Sequence, residues 1–162
     1  MPKNKSWSRF IAVQVLFQMD FNERMGLEVS YIFDEKKINS IIKNMHHINK
    51  NLVEFKDLEY SINSKWLISL LKEVILNKQD IDKNLSEKFD KNWSLKRMDS
   101  TLLSILRCGC AEFLIFDNTP VKVIINEYTN IASTFFNEKE VDFVNGILDS
   151  LAQKFRSNEL NK

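Results

Sequence analysis

Residues 99–116 read DSTLLSILRCGCAEFLIF. Apolar side chains would lie on nearly every side of the helix that this stretch forms, and a helix without a polar face is usually the one around which the others pack. Asp99 or Ser100 is placed to cap its start. Gly109 in its middle costs about 1 kcal/mol relative to alanine, which indicates that another helix approaches closely there. The stretch therefore predicts a buried central helix.

Two amphipathic helices are predicted after this stretch. Between positions 120 and 136 apolar residues recur at steps of three and four, with Thr119 at the expected N-cap and Pro120 at the first helical position. The next helix has Asn137 as its candidate cap and Glu140 three residues later. Its apolar seam consists of Val141, Val144, Leu148, Leu151 and Phe155. Each pattern predicts a helix that buries one face.

The remaining chain is also predicted to be helical. Apolar periodicity indicates helices over 8–21, about 27–48, 64–77 and 80–89, with loops over 46–56 and 91–96. No convincing strand, internal repeat or linker occurs, and 162 residues are a usual size for one domain. The sequence therefore predicts an all-α fold, a compact bundle of about seven helices in a single domain over 1–162, with a basic tail at about 1–7.

Composition and charge exclude several classes of protein. Gly26, Gly109 and Gly146 lie too far apart for a glycine-rich phosphate loop. The net charge is only +1, so any nucleic acid must bind through a local patch rather than through the field of the whole molecule. No apolar run reaches the roughly 18 residues of a membrane span, and no small-residue cleavage site suggests a signal peptide. The expected location is the cytoplasm.

Residues that carry catalysis or bind metals are not grouped in this sequence. Cys108 and Cys110 lie about 200° apart around a helix axis, and no second pair of Cys or His completes a four-ligand site. The two thiols are interpreted as buried apolar groups. Arg107 and Glu112 interrupt the apolar helix and are expected to pair with other groups, Arg107 as a structural anchor. We therefore expect no enzyme and no metal.

The predicted first helix has two different faces. One face is an apolar stripe that should point to the core, formed by Ile11, Ala12, Val15, Leu16 and Met19. The opposite face is an aromatic row with an amide inside it, formed by Phe10, Gln14, Phe17 and Phe21. The basic residues that precede or open the helix are Lys3, Lys5 and Arg9. Cations neutralise phosphates, aromatics stack on unpaired bases and amides read base edges, so this face is a candidate RNA surface. The alternative is a helix buried on both sides that follows a basic tail.

Five segments carry a family resemblance. They are SRFIAVQVLF at 8–17, WSLKRMD at 93–99, ILRCGCAEF at 105–113, NTPVKVIINE at 118–127 and FVNGILD at 143–149. In this order they resemble the motifs of the NusB family of bacterial transcription antitermination factors. The resemblance implies an all-helical protein that binds the boxA element of nascent RNA together with the ribosomal protein NusE. It further implies a place in the antitermination complex on RNA polymerase, notably at ribosomal RNA operons, without catalysis or a cofactor.

The resemblance also implies site residues. Arg9, Gln14 and Phe17 match the Arg, Gln and Tyr of the family's first motif, while Lys122, Asn126 and Asn145 match a Lys and two Asn of its later motifs. With the basic tail, the predicted RNA-binding set is Lys3, Lys5, Arg9, Gln14, Phe17, Lys122, Asn126 and Asn145. The tail has fewer basic residues than the arginine run of many relatives, and Phe17 lacks the tyrosine hydroxyl. Fewer phosphate contacts predict weaker RNA binding without the partner.

Other interpretations stay open at this point. Lys122 and Asn126 lie one helical turn apart on a polar face and are equally explained as solvated residues. Asn145 and Gly146 fit a close-packing position, in which the glycine admits a neighbour, at least as well as an RNA contact. The rival functions are a protein-only helical adaptor and a stand-alone relative of the RNA-binding domain of ribosomal RNA methyltransferases. The free protein is expected to be a monomer or a homodimer.

Overall fold

Every regular element of the described chain is helical. The computed structural model describes residues 5–30, 34–48 and 62–160, except for the side chains of 42 and 44–48. The helices in these ranges are α1 (Lys5–Arg24), α2 (Glu35–Ile48), α3 (Ser64–Leu76), α4 (Lys78–Ser86), α5 (Ser100–Ile115), α6 (Val121–Phe135), α7 (Glu138–Phe155) and α8 (Ser157–Leu160). The all-α prediction is confirmed, and the single-turn helix α8 is an element that the sequence did not predict.

The chain divides into two compact units, Met1–Lys72 and Glu73–Lys162. The division falls within α3, so this helix contributes residues to both units. The single domain expected over 1–162 stays a prediction.

In the first unit, α1 buries the stripe that its sequence indicates. The buried members of the stripe are Ile11, Ala12, Val15 and Leu16. The helix ends in a Schellman motif, in which the N–H of Leu27 donates to the carbonyl of Asn22 at 2.8 Å and the N–H of Gly26 donates to that of Glu23 at 3.1 Å. Gly26 has a φ of 70°, a conformation that glycine adopts without the steric cost of a side chain. The glycine therefore stops α1 and turns the chain.

The second helix begins later than the predicted position 27. Residues 27–30 are not helical, and α2 starts at Glu35 because Asp34 caps it. The N–H of Lys37 donates to Oδ1 of Asp34 at 2.8 Å, and the N–H of Ile38 donates to its carbonyl at 3.1 Å. Of the loop predicted over 46–56, residues 46–48 belong to α2 and the remainder lies outside the described residues. The loop predicted over 91–96 is free of helix.

Helix α5 is the centre of the second unit. All of its residues from Leu102 to Phe113 are buried, and it packs against α4, α6 and α7. Asp99 provides the cap, since its carboxylate accepts the N–H of Thr101 at 2.8 Å and that of Leu102 at 3.2 Å. The predicted central helix is confirmed, and Asp99 rather than Ser100 is its cap.

The approach of neighbouring helices to Gly109 is close. A Cβ atom at this position would lie 2.6 Å from Cδ2 of Leu148 in α7 and 3.4 Å from Cδ2 of Tyr128 in α6. A separation of 2.6 Å is far shorter than van der Waals contact, so glycine allows these two side chains to reach the backbone of α5. The expected close approach at Gly109 is confirmed.

The charged residues inside α5 are paired. Arg107 donates from Nε and Nη2 to the two carboxylate oxygens of Asp82 in α4, at 2.8 Å each. The hydroxyl of Tyr128 in α6 donates to Oε2 of Glu112 at 2.7 Å, and both residues are fully buried. These bonds offset part of the cost of removing the charges from water. The expectation that Arg107 pairs with another group is confirmed, and its role as a structural anchor stays a prediction.

Burial should make both cysteines unreactive in the folded protein. Desolvation raises the pKa of the Cys110 thiol to about 12 and raises the pKa of Cys108 even further above its ordinary value. Since thiolates are the reactive form, Ellman's reagent should modify the native protein very slowly in mildly alkaline buffer and both thiols rapidly in concentrated guanidinium chloride. Rapid modification of the native protein would contradict this burial.

The raised pKa of Cys110 also determines how the stability of the protein changes at high pH. The unfolded thiols release protons above their ordinary pKa of 9.0, while Cys110 in the folded protein keeps its proton up to about 12. The unfolded state therefore binds fewer protons in this range, so this thiol contributes less stability as the pH rises from 9.0 towards 12.

The start of α6 differs from the prediction. Pro120 rather than Thr119 is the N-cap, the helix begins at Val121, and the cap residue supplies no side-chain bond. The N–H of Val121 instead donates to Oε1 of Glu159 at 2.9 Å, a partner that follows α7 in the chain. The prediction that Thr119 caps α6 is wrong because a distant carboxylate satisfies this donor. Asn137 is the N-cap of α7, as expected, but its side chain makes no capping hydrogen bond.

Candidate nucleic-acid interface

The arginine of the first motif is buried in the first unit. Arg9 is 2% exposed, and its guanidinium carbon lies 5.1 Å from the centroid of the Trp66 ring in α3. This geometry is a cation–π contact, which stabilises a charge that is removed from water. The neighbouring Ser8 accepts a hydrogen bond from the N–H of Asn63 at 3.1 Å, and Oδ1 of Asn63 accepts the N–H of Trp66 at 3.1 Å. In this structure Arg9 and Ser8 join the start of α1 to the start of α3, and the contact of Arg9 with RNA stays a prediction.

The basic tail leads into the N-terminus of α1. Lys5 is the first residue of the helix and is exposed, and the first helical turn contains no acidic residue. The helix N-terminus carries a partial positive charge and the lysine a full one, so both attract a phosphate to this end of α1. Lys3 lies outside the described residues. Of the predicted tail residues, Lys5 is thus the one that the structure places at the surface.

The aromatic face of α1 is partly exposed. Phe10, Gln14 and Phe17 are half-buried, and Phe21 is 44% exposed. The rings of Phe17 and Phe21 are stacked, with centroids 6.3 Å apart and planes inclined by 28°. Met19, expected in the core stripe, is also half-buried. The exposure of Phe21 argues against the alternative in which α1 is buried on both sides.

In the second unit, α6 presents a polar side formed by residues one turn apart. Lys122 and Asn126 are exposed, while the opposite side of the helix is buried through Val121, Ile124, Ile125 and Tyr128. Thr129 and Ser133 share the polar side, but their hydroxyls donate to the carbonyls of Ile125 at 2.9 Å and Asn130 at 2.7 Å. The ammonium of Lys122 and the amides of Asn126 and of the exposed Asn130, one turn further on, are therefore suited to an external ligand.

Asn145 and Gly146 lie on the outer side of α7. Both residues are exposed, and no described atom lies within 4 Å of the position that a Cβ of Gly146 would take. The residues of α7 that are buried are Val144, Ile147, Leu148, Leu151 and Ala152. The close-packing interpretation of Gly146 is therefore wrong among the described residues, because the helix turns this position away from its neighbours. The placement leaves the Asn145 amide accessible.

Arg156 and Glu159, which the sequence did not indicate as important, hold the loop before Lys122. Arg156, just after α7, donates to three backbone carbonyls, those of Phe113 at 3.0 Å, Phe116 at 2.7 Å and Thr119 at 3.2 Å. It also pairs with Glu159 at 3.1 Å. Backbone carbonyl acceptors leave no mark in a sequence, so the one available signal was a lone arginine after the end of a helix.

The described part of the chain offers neither a metal site nor a membrane span. Among the side chains that the structure describes, no three or more of His, Cys, Asp or Glu are arranged to hold a metal ion. Within residues 5–30, 34–48 and 62–160, every helix is too short or too polar to cross a bilayer.

Comparison with known proteins identifies the family. The model of the NusB family matches residues 6–153. A transcription antitermination protein NusB from Bartonella quintana is 31% identical over 151 residues, covering 92% of this chain and 88% of the relative. The protein of the same name from Koribacter versatilis is 35% identical over 156 residues, covering 96% and 92%.

A solved structure gives the same result for the fold. The structure of NusB from T. maritima superposes with a TM-score of 0.71 and 24% sequence identity, covering 100% of both chains. Both relatives carry the name of a transcription antitermination protein. The family match over nearly the whole length, the relatives above 30% identity and the shared fold show that this chain belongs to the NusB family.

Proposed function

We propose that this protein is a transcription antitermination factor that acts in the cytoplasm on ribosomal RNA operons. It binds boxA-type single-stranded RNA together with the ribosomal protein NusE, and it joins the antitermination complex on RNA polymerase without catalysis or a cofactor. Membership of the NusB family supports this proposal, since the relatives are named transcription antitermination proteins. The observation that carries the RNA contact is the exposed pair Lys122 and Asn126 on α6.

The chemistry of these side chains suits a short single strand. An ammonium neutralises a phosphate, and an amide one turn away pairs with a base edge, because unpaired bases expose their hydrogen-bonding groups. Asn145 adds a second exposed amide in the same unit. In the first unit, Lys3 and Lys5 supply charge, while Gln14 and Phe17 supply an amide and a ring on which a base stacks. Arg9 is buried in the described conformation, where it supports the start of α1. Its contact with RNA stays a prediction.

Charge reversal of Lys122 should weaken RNA binding about tenfold. Lys122→Glu removes one phosphate contact and places a repulsive carboxylate there, so the slope of log affinity against log salt should also fall by about 0.7. The measurement is fluorescence anisotropy with a boxA-type RNA and a scrambled RNA, with and without NusE, over a salt series. Lys139→Glu is the matched control, because Lys139 is also an exposed second residue of its helix. Equal affinities of the two variants would contradict the role of Lys122.

The first unit is tested by a separate variant. Lys3→Glu combined with Lys5→Glu reverses the tail charge and leaves the buried contact between Arg9 and Trp66 intact. The control is Lys65→Glu with Lys72→Glu, since both of these lysines are exposed on α3. Loss of affinity in the tail variant alone is the expected result. Unchanged affinity would remove the tail from the proposed site.

A second candidate function is a protein-only helical adaptor. The observation in its favour is the exposure of apolar side chains at the end of α1, where Phe21 is 44%, Met25 63% and Leu27 57% exposed. Exposed apolar groups in one region are typical of a protein-binding surface. Binding to NusE without discrimination between boxA-type and scrambled RNA in any combination would favour this function over the first.

A further inference from the structure

We propose that Arg156 and Glu159 form a clamp that fixes residues 116–120 between α5 and α6, and that they thereby act as positioning residues for the RNA contact of Lys122. This inference rests on the proposed RNA binding. Both residues lie beyond position 153, where the match to the family model ends.

The arginine half of the clamp holds the end of α5. The side chain of Arg156 is 9% exposed, and its guanidinium reaches the carbonyls of Phe113 in the last turn of α5, Phe116 at its C-cap and Thr119 further along the loop. The last carbonyls of a helix lack intrahelical partners and carry partial negative charge, so a cation stabilises them. Bonds from an ionised donor are also stronger than neutral ones. A single side chain therefore fixes three points of one short connection.

The glutamate half holds the start of α6. One carboxylate oxygen of Glu159 accepts the N–H of Val121 at 2.9 Å, and the other accepts Nη1 of Arg156 at 3.1 Å. The first N–H groups of a helix need an external acceptor, and a negative charge there interacts favourably with the helix dipole. Because Pro120 supplies no side-chain cap, Glu159 takes the part of an N-cap for α6. The ion pair thus links the end of one helix to the beginning of the next.

The clamp acts on Lys122 through its immediate neighbour. Val121 is 2% exposed, and its backbone is fixed by Glu159, so the direction in which α6 leaves the loop is defined one residue before Lys122. Asn126 follows one turn later on the same helix. If the clamp opens, the first turn of α6 is held less firmly and the ammonium of Lys122 loses its fixed position. RNA binding must then supply the entropy cost of ordering it.

The test compares two cations at the end of α7. Arg156→Met removes the clamp and keeps an apolar stem. Lys154→Met is the control, because Lys154 pairs instead with Asn84 in α4 and with Glu87 just after that helix. Amide hydrogen exchange over 116–124 should become faster in Arg156→Met and stay unchanged in Lys154→Met. At a temperature where circular dichroism shows both variants folded, Arg156→Met should bind boxA-type RNA about three- to tenfold more weakly, and Lys154→Met as tightly as the unmodified protein.

A double variant separates positioning from general destabilisation. Since the clamp acts through Lys122, Arg156→Met should add no further loss of RNA affinity in the Lys122→Glu background. Arg156→Lys, whose ammonium cannot reach three carbonyls at once, should recover only part of the affinity. Glu159→Gln preserves an acceptor for Val121 and provides a milder variant should Arg156→Met fail to fold; it should show faster loop exchange and a smaller loss of affinity.

The outcomes of these measurements distinguish the positioning role of the clamp from the RNA contact of Lys122. Faster exchange in Arg156→Met with unchanged RNA affinity, while Lys122→Glu still loses affinity, would show a purely structural clamp and overturn the positioning role. Additive losses in the double variant would overturn it as well. Unchanged affinity in Lys122→Glu itself would instead identify a failure of the proposed RNA contact, and the positioning role would fall with it.

Discussion

Replacement of Asp82 by alanine should lower the free energy of unfolding by about 3 kcal/mol. The side chain of Arg107 is 9% exposed and that of Asp82 21% exposed, and two bonds of 2.8 Å join them. Removal of the carboxylate takes from the buried guanidinium the two charge-assisted hydrogen bonds that Asp82 accepts, and removing one partner is the costly way to break a buried pair. The loss lies at the lower end of the usual range because water reaches the Asp82 side.

This loss is measured by urea denaturation and thermal unfolding. For a protein of this size, about 3 kcal/mol corresponds to a fall in Tm of about 6–12 °C. Asp80→Ala is the matched control, since Asp80 is exposed in the same helix, and it should cost only about 0.5 kcal/mol through the helix dipole. Arg107→Met in the Asp82→Ala background should restore much of the stability, because the buried charge that Asp82 compensated is gone. Equal losses for Asp82→Ala and Asp80→Ala would contradict the anchor role of Arg107.

Replacement of Gly109 by valine should lower the free energy of unfolding by about 3 kcal/mol, for steric rather than electrostatic reasons. The new Cβ would lie 2.6 Å from Leu148, and its methyl groups would extend towards Tyr128, whose hydroxyl is held by Glu112 at 2.7 Å. Both neighbours are fully buried, so a small rotation that admits a Cβ does not also make room for the two methyl groups of valine. Gly109→Ala should cost only about 1 kcal/mol, because the end of the Leu148 side chain can rotate and alanine favours the helix.

The other glycine within a helix provides the control for this prediction. Gly146 lies in α7, and a Cβ added to it would have no described atom within 4 Å, so Gly146→Ala should raise the free energy of unfolding by up to about 1 kcal/mol. The two alanine variants should thus change stability in opposite directions in the same denaturation experiment. A destabilised Gly146→Ala variant or a neutral Gly109→Val variant would contradict the packing described for α5 and α7.

The part of the fold that the sequence predicted is the part determined by local pattern. The uninterrupted apolar character of 102–113 indicated the central helix, Asp99 was recognisable as a cap, and a glycine inside that helix indicated close packing. The exposure of Lys122 and Asn126 also followed from the period of α6. Each of these features depends on residues within a few positions of one another.

The features that the sequence did not predict depend on distant partners. Arg9 was grouped with the basic residues that precede or open α1, yet it lies over Trp66, far along the chain in α3, and is buried there. Thr119 has the composition of an N-cap, but Glu159 satisfies the donor that it would have capped. The exposure of Gly146 was not predicted because glycine has no side chain, so its polarity does not indicate whether it faces a neighbouring helix or solvent.

The hydrogen bonds of Arg156 also have a consequence for the order of folding. The three carbonyls precede Arg156 by 43, 40 and 37 residues, and both α6 and α7 lie between them and the arginine. Closing so long a segment costs chain entropy, whereas α6 and α7 pair through contacts that are close in sequence. We therefore expect the guanidinium to reach its acceptors after these helices have paired, so that the connection between α5 and α6 acquires its final form late. Contacts formed after the rate-limiting step govern how fast a protein unfolds, so this arginine should contribute to the lifetime of the native state more than to the speed of its formation.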